Sequence, residues 1–473
     1  MQMKIKTLIS SLCVLISLVA NAQEKWDLKK CIETAWENNI QIKIQENNEW
    51  LAQKILQQSY ATHFPTLNGI ATHVYNFGQT IDPYTNQFAN SRVRSNNFAL
   101  QSQWTLFAGR QNYFTTRQNI WNYKSSQSTT QATKNNIALQ VANLFLNALI
   151  AKENVEIAKN QVNITRLQLE KTQRMYETGL VRPTDLYSIR TQLATEKTNL
   201  VNLENQYKMA LLNLAQAMRI PSSTPFEPYI ALPGEDWEIA EVYPSPEIIF
   251  EEASKNLPQI QSAEQALKSA EFAFKASKAA FYPRLTFSAS LGTGYSGLQK
   301  EILGVNYTGV DTIGFTNSGD YVLTPSYDFI TQTIPFQKQL DKNFNQSIGF
   351  TLSIPLMNAW NVRTNKHRNE VNLKNSQWQL EQTKQQLYMD IENAYRSYIF
   401  ALENFKARKE NIRAFEENYR LAEAQFDQGL IDAYLYNNTK NQWMKAQSDL
   451  IQAKYELLFR MKILDFYMGK NLE

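Results

Sequence analysis

The sequence predicts a mainly α-helical protein that is built twice from one plan, in which long coiled-coil helices accompany two pairs of β-strands. Residues 174–181 read RMYETGLV and residues 424–431 read AQFDQGLI, so one turn occurs twice, 250 positions apart. A second echo joins residues 59–67, SYATHFPTL, to residues 277–285, SKAAFYPRL. Long stretches without proline or glycine lie between these motifs. Repeats of this kind indicate a duplicated architecture.

The N-terminus has the features of a secretory signal peptide over residues 1–22. Lys4 and Lys6 precede an apolar run at 8–20, and Ala20-Asn21-Ala22 has the form of a cleavage site. The apolar run is shorter than the roughly 20 residues that a membrane-spanning helix needs. We therefore expect an exported chain whose leader is removed.

Charge and cysteine usage narrow the function classes further. The formal net charge is +4 and no block of like charge stands out, so nucleic acid is not expected as a partner. Removal of the leader takes Cys13 with it and leaves Cys31 alone, which predicts no internal disulfide.

The first repeat is predicted over residues 23–218. A single helix is expected over 27–62, because helices usually end before a proline such as Pro65. Strands are expected at 65–75 and 97–107. In the second of these, one face is predicted to carry four apolar side chains: Phe98, Leu100, Trp104 and Leu106.

Two further helices complete the first repeat. The first runs without proline or glycine from Arg110 to Thr178 and would be about 100 Å long at 1.5 Å per residue. We expect it to end at Gly179, and Thr184 or Asp185 to cap the next helix. That helix carries a heptad seam, interrupted only by Glu196, whose members are Leu186, Ile189, Leu193, Leu200, Leu203, Tyr207, Ala210 and Leu214.

Residues 219–246 hold six of the fourteen prolines and are predicted to be an extended connector. The second repeat, 247–468, should follow the course of the first, with strands at 283–295 and 346–356, a long helix over 361–428 and a last helix to residue 468. Its inter-strand loop is 32 residues longer than the first. Residues 469–473 form a short tail.

Four strands of about ten residues have the length of a tilted bilayer crossing. Four strands cannot close a barrel, and open sheet edges are not tolerated in lipid, so other chains would have to complete the barrel. The alternative is a small soluble sheet packed on the helical body.

This order of elements resembles the TolC family of outer-membrane efflux and secretion channels over nearly the whole mature chain. The resemblance rests on the paired helix-to-strand motifs, the paired turns YETGLVRPTD and FDQGLIDAYL, and the heptad helices after them. It implies a homotrimer in which three four-stranded sheets form a 12-stranded β-barrel and the helices form a tapering α-barrel.

The resemblance also implies the function and the partners. The trimer would be a passive conduit, in contact with outer-membrane lipid, that receives cargo through a periplasmic adaptor from an inner-membrane pump of RND or ABC type. It would lie in the outer membrane of a Gram-negative bacterium with a large periplasmic part. Neither catalysis nor a cofactor is expected, and an efflux channel and a type I secretion channel look alike at this level.

The resemblance assigns roles to three groups of residues. The periplasmic tip, where the adaptor would dock, comprises Gly179, Leu180, Val181, Gly429, Leu430 and Ile431. Candidate gate residues are Arg182, Thr184, Asp185, Asp427 and Asp432. The transitions between helices and strands fall at Pro65, Pro283 and Pro355.

The closing network of the family does not carry over completely. Thr184 and Asp185 match its Thr-Asp pair. The positions of its partner tyrosine and arginine hold Phe426 and Ile431, and its acidic constriction positions hold Leu435 and Asn438. Arg182, Asp427 and Asp432 are the candidates for a substitute network.

Two other classes remain as competing interpretations. A soluble periplasmic adaptor would explain the heptads but not the duplicated strand pairs. An enzyme is disfavoured because His63, His73 and His367 have no catalytic or metal-ligating partner at a suitable spacing. The lack of a Met, His or Cys cluster also disfavours a dedicated metal route.

Overall fold

A computed structural model describes residues 24–82, 84–86, 88–89, 92–230 and 243–470. The predicted leader, most of the second half of the proline-rich connector and the last three residues lie outside this part. The chain divides into two compact units. We call Met1–Gln53, Trp121–Leu267 and Lys374–Glu473 the helical unit, and Lys54–Ile120 and Lys268–Leu373 the strand unit.

Between residues 24 and 218 the described residues form nine helices and strands. They are β1 (Glu24–Trp26), α1 (Leu28–Asn38), α2 (Ile40–Ala61), β2 (Thr66–Asn76), β3 (Thr80–Ile81), β4 (Phe88–Ala89), β5 (Val93–Ala108), α3 (Gln111–Glu177) and α4 (Pro183–Met218).

The remaining elements belong to the connector and the second repeat. They are β6 (Phe226–Pro228), α5 (Pro246–Asn256), α6 (Pro258–Ala279), β7 (Arg284–Ser296), β8 (Lys300–Phe315), β9 (Tyr321–Thr333), α7 (Phe336–Lys342), β10 (Asn345–Ser353), α8 (Asn361–Asp427) and α9 (Ala433–Tyr467). No helix of the described residues combines the length and the apolar composition that a bilayer crossing requires.

The single helix predicted over 27–62 is wrong, because the chain forms α1 and α2 with a break at Asn39. Asn39 has an extended backbone, and its side-chain Oδ1 accepts a hydrogen bond from the Gln41 amide at 2.8 Å. The second repeat breaks at the equivalent residue, Leu257, where the following Pro258 disfavours helical geometry. The break is therefore duplicated with the rest of the plan.

The helical unit has two hydrophobic cores at equivalent places in the two repeats. Buried residues of the first core have buried counterparts in the second, in the pairs Cys31/Ile249, Ala35/Ala253, Ile42/Ile260, Val141/Ile391 and Leu214/Leu464. The predicted heptad seam of α4 is buried at Leu186, Ile189, Leu193 and Leu214 and half-buried between Leu200 and Ala210. Packing of equivalent positions confirms the duplicated, mainly helical fold.

The strand unit contains an antiparallel sheet in the order β10-β7-β5-β2. Cross-strand partners share a face of a sheet, so the register assigns its side chains to two faces. One face is apolar and includes Leu100, Trp104, Leu285, Phe287, Leu291, Ile348, Phe350 and Leu352. The opposite face is polar and includes Asn68, Gln101, Gln103, Thr286, Ser288, Ser290, Ser347 and Thr351.

Two strand predictions need correction. Leu106 is the extra residue of a bulge between Thr105 and Phe107, so Phe107 rather than Leu106 pairs with Leu285 on the apolar face. The last strand ends at Ser353, three residues earlier than predicted, because the chain leaves the sheet ahead of Pro355.

The long second inter-strand segment is not the plain loop that the sequence suggested. It contains the β8–β9 hairpin and the short helix α7. Phe336 of α7 packs on the sheet, with its ring centroid 5.5 Å from that of Tyr295 and 6.3 Å from that of Phe98.

Candidate functional site: the two helical turns

The turn between α3 and α4 is a Schellman motif. Gly179 has φ = +77°, a left-handed conformation that glycine adopts without a Cβ penalty. The Gly179 amide donates to the Tyr176 carbonyl at 2.9 Å, and the Leu180 amide donates to the Met175 carbonyl at 2.8 Å. These bonds satisfy the last carbonyls of α3 and reverse the chain.

The turn between α8 and α9 repeats this geometry. Gly429 has φ = +74°, and its amide donates to the Phe426 carbonyl at 3.0 Å. The Leu430 amide donates to the Gln425 carbonyl at 2.9 Å. Leu180 and Leu430, which follow the glycines, are 73% and 69% exposed. Each turn thus presents one leucine to solvent from the same backbone shape.

The helices after the two turns are capped differently. Arg182, not Thr184 or Asp185, occupies the N-cap position of α4, and Pro183 is its first helical residue. Asp185 lies one turn inside, where its Oδ2 accepts from the Arg182 backbone amide at 3.3 Å. In α9 the N-cap is Asp432, whose carboxylate accepts directly from the Leu435 amide at 2.9 Å.

An aromatic cluster supports the second turn. The Phe426 and Tyr436 rings stack at a centroid distance of 4.9 Å, and the Tyr419 and Trp443 rings stack at 4.6 Å. Ile189 of α4 is buried in the same cluster. Burial raises the pKa of the Tyr436 phenol, and the hydrogen bond with Tyr419 raises it further by a smaller amount. The phenol therefore stays protonated. This packing joins the α3–α4 hairpin to the α8–α9 hairpin close to their turns.

The candidate gate residues have separate partners within the chain. Asp427 pairs with Lys171, which links α8 to α3. The Arg182 guanidinium lies 3.3 Å from the Asp185 carboxylate and is largely exposed. Asp432 serves as the α9 cap described above. One subunit therefore does not bring Arg182, Asp427 and Asp432 together into one network.

The other gate-related residues lie around the same two turns. Thr184, Leu435 and Asn438 are exposed, whereas Ile431 is half-buried and Phe426 is buried in the aromatic cluster. Their roles in a closed mouth remain predictions.

A buried polar cluster that the sequence did not predict lies between α3, α4 and α9. Lys440 of α9 is 1% exposed, and its Nζ donates to the Thr165 hydroxyl of α3 at 2.7 Å. Thr165 in turn donates to the carboxylate of the buried Glu196 of α4. Gln161 and Gln192 donate to the other oxygen of Glu196, at 2.6 Å and 2.8 Å. The interruption of the heptad at Glu196 was the signal for this cluster.

Desolvation by burial lowers the pKa of Lys440 to about 8, although the negative charges of Glu196 and Glu423 oppose that change. The cluster joins α3, α4 and α9, and the negative charge of Glu196 compensates part of the positive charge of Lys440. In the described part of the chain, no group of three or more His, Cys, Asp or Glu side chains is arranged to hold a metal ion.

The predicted transitions between helices and strands lie in the strand unit. Pro65 separates the end of α2 from β2, and Pro283 occupies the equivalent place between α6 and β7. Pro355 follows β10 and precedes α8. At the first transition the Trp104 indole N–H donates to the His63 carbonyl at 2.8 Å, which ties β5 to the end of the preceding helix.

The family model for outer membrane efflux proteins matches residues 31–218 and 249–470. The chain belongs to this family. Its two matched segments flank the proline-rich connector, and the family description places this efflux protein in the outer membrane.

Solved channel structures share its fold. Crystal structures of CusC match with a TM-score of 0.73 and 15% identity over 96% of this chain and 93% of that one. The outer membrane protein VceC from Vibrio cholerae matches with a TM-score of 0.71 and 15% identity over 94% of this chain and 97% of that one. The open state of the Neisseria gonorrhoeae MtrE outer membrane channel matches with a TM-score of 0.69 and 18% identity over 94% of this chain and 89% of that one. No curated protein sequence matches this efflux protein.

Proposed function

We propose that this outer membrane efflux protein is the exit duct of a tripartite efflux or type I secretion system. The observation that carries this proposal is the division of the four-stranded sheet into an apolar and a polar face. Such a division suits a barrel wall with lipid on one side and a water-filled lumen on the other.

More than one copy is needed to complete the wall, and the family resemblance implies three. Among the described residues, no strand pairs with the outer side of β10 or β2, the two edge strands of the sheet. In lipid, every backbone polar group must find a partner within the protein. Pairing β10 of one copy with β2 of the next, three times around, gives the 12-stranded barrel of a homotrimer.

The two turns are the proposed docking points for a periplasmic adaptor. Their backbone geometry is nearly the same, and each exposes one leucine next to its glycine. A trimer would offer six such turns to a repeated adaptor surface. An inner-membrane pump of RND or ABC type supplies the energy, and the duct itself is passive.

Channel activity is tested by conductance of the purified protein in planar bilayers. We expect discrete single-channel steps from the trimer and none from the heat-denatured protein. Recovery of the mature chain in the soluble fraction without detergent would instead favour a soluble adaptor and would end the channel proposal.

Docking is tested by affinity purification from cell envelopes followed by mass spectrometry. We expect an adaptor and a pump to co-purify with the native chain, and both to be lost from the double variant Leu180→Asp, Leu430→Asp. Leu167→Asp is the matched control, because Leu167 is an exposed leucine away from the turns. Equal recovery from the docking variant and the control would reject docking at the turns.

The gate is tested separately. If Arg182 and Asp185 help to hold the mouth closed, Arg182→Ala and Asp185→Ala should raise the single-channel conductance. Unchanged conductance in both variants would remove these residues from the gate.

A further inference from the structure

The β8–β9 hairpin, which we call the ribbon, has an unusual register. Three bulges interrupt β8, between Ile302 and Gly304, between Tyr307 and Gly309, and between Thr312 and Gly314. They recur every five residues, and each leaves one residue of β8 without a partner in β9. A bulge shifts the side-chain alternation of its strand by one residue.

The bulges place all the aromatic side chains of the ribbon, and most of its paired apolar ones, on one face, which we call the apolar face. Cross-strand partners lie on the same face. One face carries the pairs Ile302–Thr331, Val305–Phe329, Tyr307–Tyr327, Val310–Pro325, Thr312–Leu323 and Phe315–Tyr321. The other face carries Glu301–Gln332, Gly304–Ile330, Asn306–Asp328, Gly309–Ser326, Asp311–Thr324 and Gly314–Val322.

The apolar face is open to solvent in the single chain. Phe315 and Tyr307 are 67% and 63% exposed, and Tyr327 and Phe329 are both about half exposed. Ring contacts of 5.8 Å between Tyr307 and Tyr327 and 5.2 Å between Phe315 and Tyr321 hold the aromatic side chains together on this face. Contiguous exposed apolar surface of this extent marks an interaction site.

The base of the ribbon is fixed beside an open edge of the sheet. The Ile334 amide donates to the Gln299 carbonyl at 3.0 Å and closes the hairpin. The Asn343 side chain, just after α7, donates to the Gly294 carbonyl of β7 at 2.8 Å. The chain then enters the edge strand β10 at Asn345.

The opposite edge of the sheet leads to a second apolar patch. The edge strand β2 ends at Asn76 and is followed by Phe77, Ile81 and Phe88, all of which are exposed. Because neighbouring strands of the sheet are antiparallel, the end of β2 and the start of β10 lie at the same end of the sheet.

We propose that the apolar face of the ribbon is covered by the next copy of the chain, where it packs on Phe77, Ile81 and Phe88. This inference rests on the trimeric barrel proposed above, in which β10 of one copy pairs with β2 of the next. That seam brings the base of the ribbon and the Phe77–Phe88 patch together and covers two apolar surfaces at once. Each ribbon would then contact the next copy of the chain beyond the end of the membrane-spanning sheet.

The test is cross-linking in the full-length mature trimer with paired cysteines. One variant combines Phe88→Cys with Tyr327→Cys, and its control combines Phe88→Cys with Asp328→Cys. Tyr327 and Asp328 are adjacent in β9 but lie on opposite faces of the ribbon. Burial raises the pKa of Cys31 to about 12, so this native thiol will not compete for the reagent.

We expect a short bismaleimide to convert the Tyr327 variant into covalent trimers on a denaturing gel and to leave the Asp328 variant monomeric. Equal cross-linking in both variants, or none in either, overturns the ribbon contact. Light scattering measures the mass of the same samples. A trimeric mass with no cross-linking rejects the ribbon contact alone, whereas a monomeric mass rejects the trimer on which it rests.

Two further measurements exclude other occupants of the apolar face. A fluorophore on Tyr327→Cys that is strongly quenched by brominated phospholipid in nanodiscs would assign the face to lipid and overturn the proposal. The ribbon lies at the end of the sheet opposite Pro65 and Pro283, and this end faces the cell exterior in the proposed channel. On intact cells, a bulky maleimide should therefore label Asp328→Cys and spare Tyr327→Cys. Equal labelling would show that the face is free in the trimer and would also overturn it.

Discussion

The α3–α4 turn and the α8–α9 turn have the same backbone hydrogen bonds, but the side chains beneath them differ. In the second hairpin, Phe426 is 5% exposed and stacks on Tyr436. Its counterpart in the first hairpin, Tyr176, is 40% exposed. Backbone geometry has thus been kept in both copies while packing has concentrated under one. We infer that the first turn is the easier one to move.

The largest expected effect compares the two aromatic residues directly. Phe426→Ala removes a buried ring and should destabilise the helical unit by about 3–5 kcal/mol. Tyr176→Ala should cost less than about 1 kcal/mol, since surface changes are usually small. Thermal unfolding of the detergent-solubilised protein, followed by circular dichroism, gives both values. Equal losses would contradict the proposed difference between the hairpins.

The buried polar cluster gives the next largest effect. Glu196→Gln removes the buried negative charge that Lys440 meets through the Thr165 hydroxyl and should cost about 3 kcal/mol, the lower end of the loss seen when one member of a buried charge pair is removed. The double variant Glu196→Gln, Lys440→Met should recover most of this loss, because no buried charge is left at the pair. A double-mutant cycle measures the coupling. A double variant as unstable as the sum of the single changes would rule the pairing out.

The same cluster predicts a pH dependence. The pKa of Lys440 is about 8 in the folded protein and has an ordinary value of 10.5. Between these values the unfolded chain binds more protons, so stability should rise with pH by at most about 1.4 kcal/mol per pH unit. Lys440→Met should lack this rise. Melting temperatures of both proteins between pH 7 and pH 10.5 check it, and parallel curves would exclude Lys440 as the cause.

The smallest expected effect concerns the helix caps. Asp432→Ala removes an N-cap hydrogen bond to the Leu435 amide and should cost about 1 kcal/mol. Asp185→Ala removes a longer bond and an exposed ion pair, so about 0.5 kcal/mol is expected. Asp185→Asn serves as the control for the charge alone. A greater loss for Asp185 than for Asp432 would reverse the comparison.

The sequence predicts much of the fold because the duplication supplies internal controls. The repeated Gly-Leu pairs located both turns, and the stretches without proline or glycine located α3 and α8. The break at Asn39 was missed because an asparagine inside a polar helical pattern has no sequence signal as strong as Pro258 in the other copy. Pro258 marks the break in the second repeat, and the duplication indicates an equivalent break in the first.

The site was less predictable than the fold. Glu196 was visible as a heptad interruption, but its partner Lys440 comes from a helix more than 200 residues away. The ribbon was read as a loop because its three bulges break the simple alternation by which strands are recognised. In both cases the decisive contact depends on register between distant segments.

The Glu196–Lys440 cluster also bears on how the two halves of the chain depend on each other. Position for position, 250 residues apart, Lys440 corresponds to Arg190 and Glu196 corresponds to Ala446. A sixfold ring of first repeats would still set a basic side chain against Glu196, whereas a sixfold ring of second repeats would bury Lys440 opposite alanine. We therefore expect the second repeat, expressed alone, to assemble less readily than the first, which native mass spectrometry of the two fragments would reveal. At this cluster the two repeats are therefore complementary and not interchangeable.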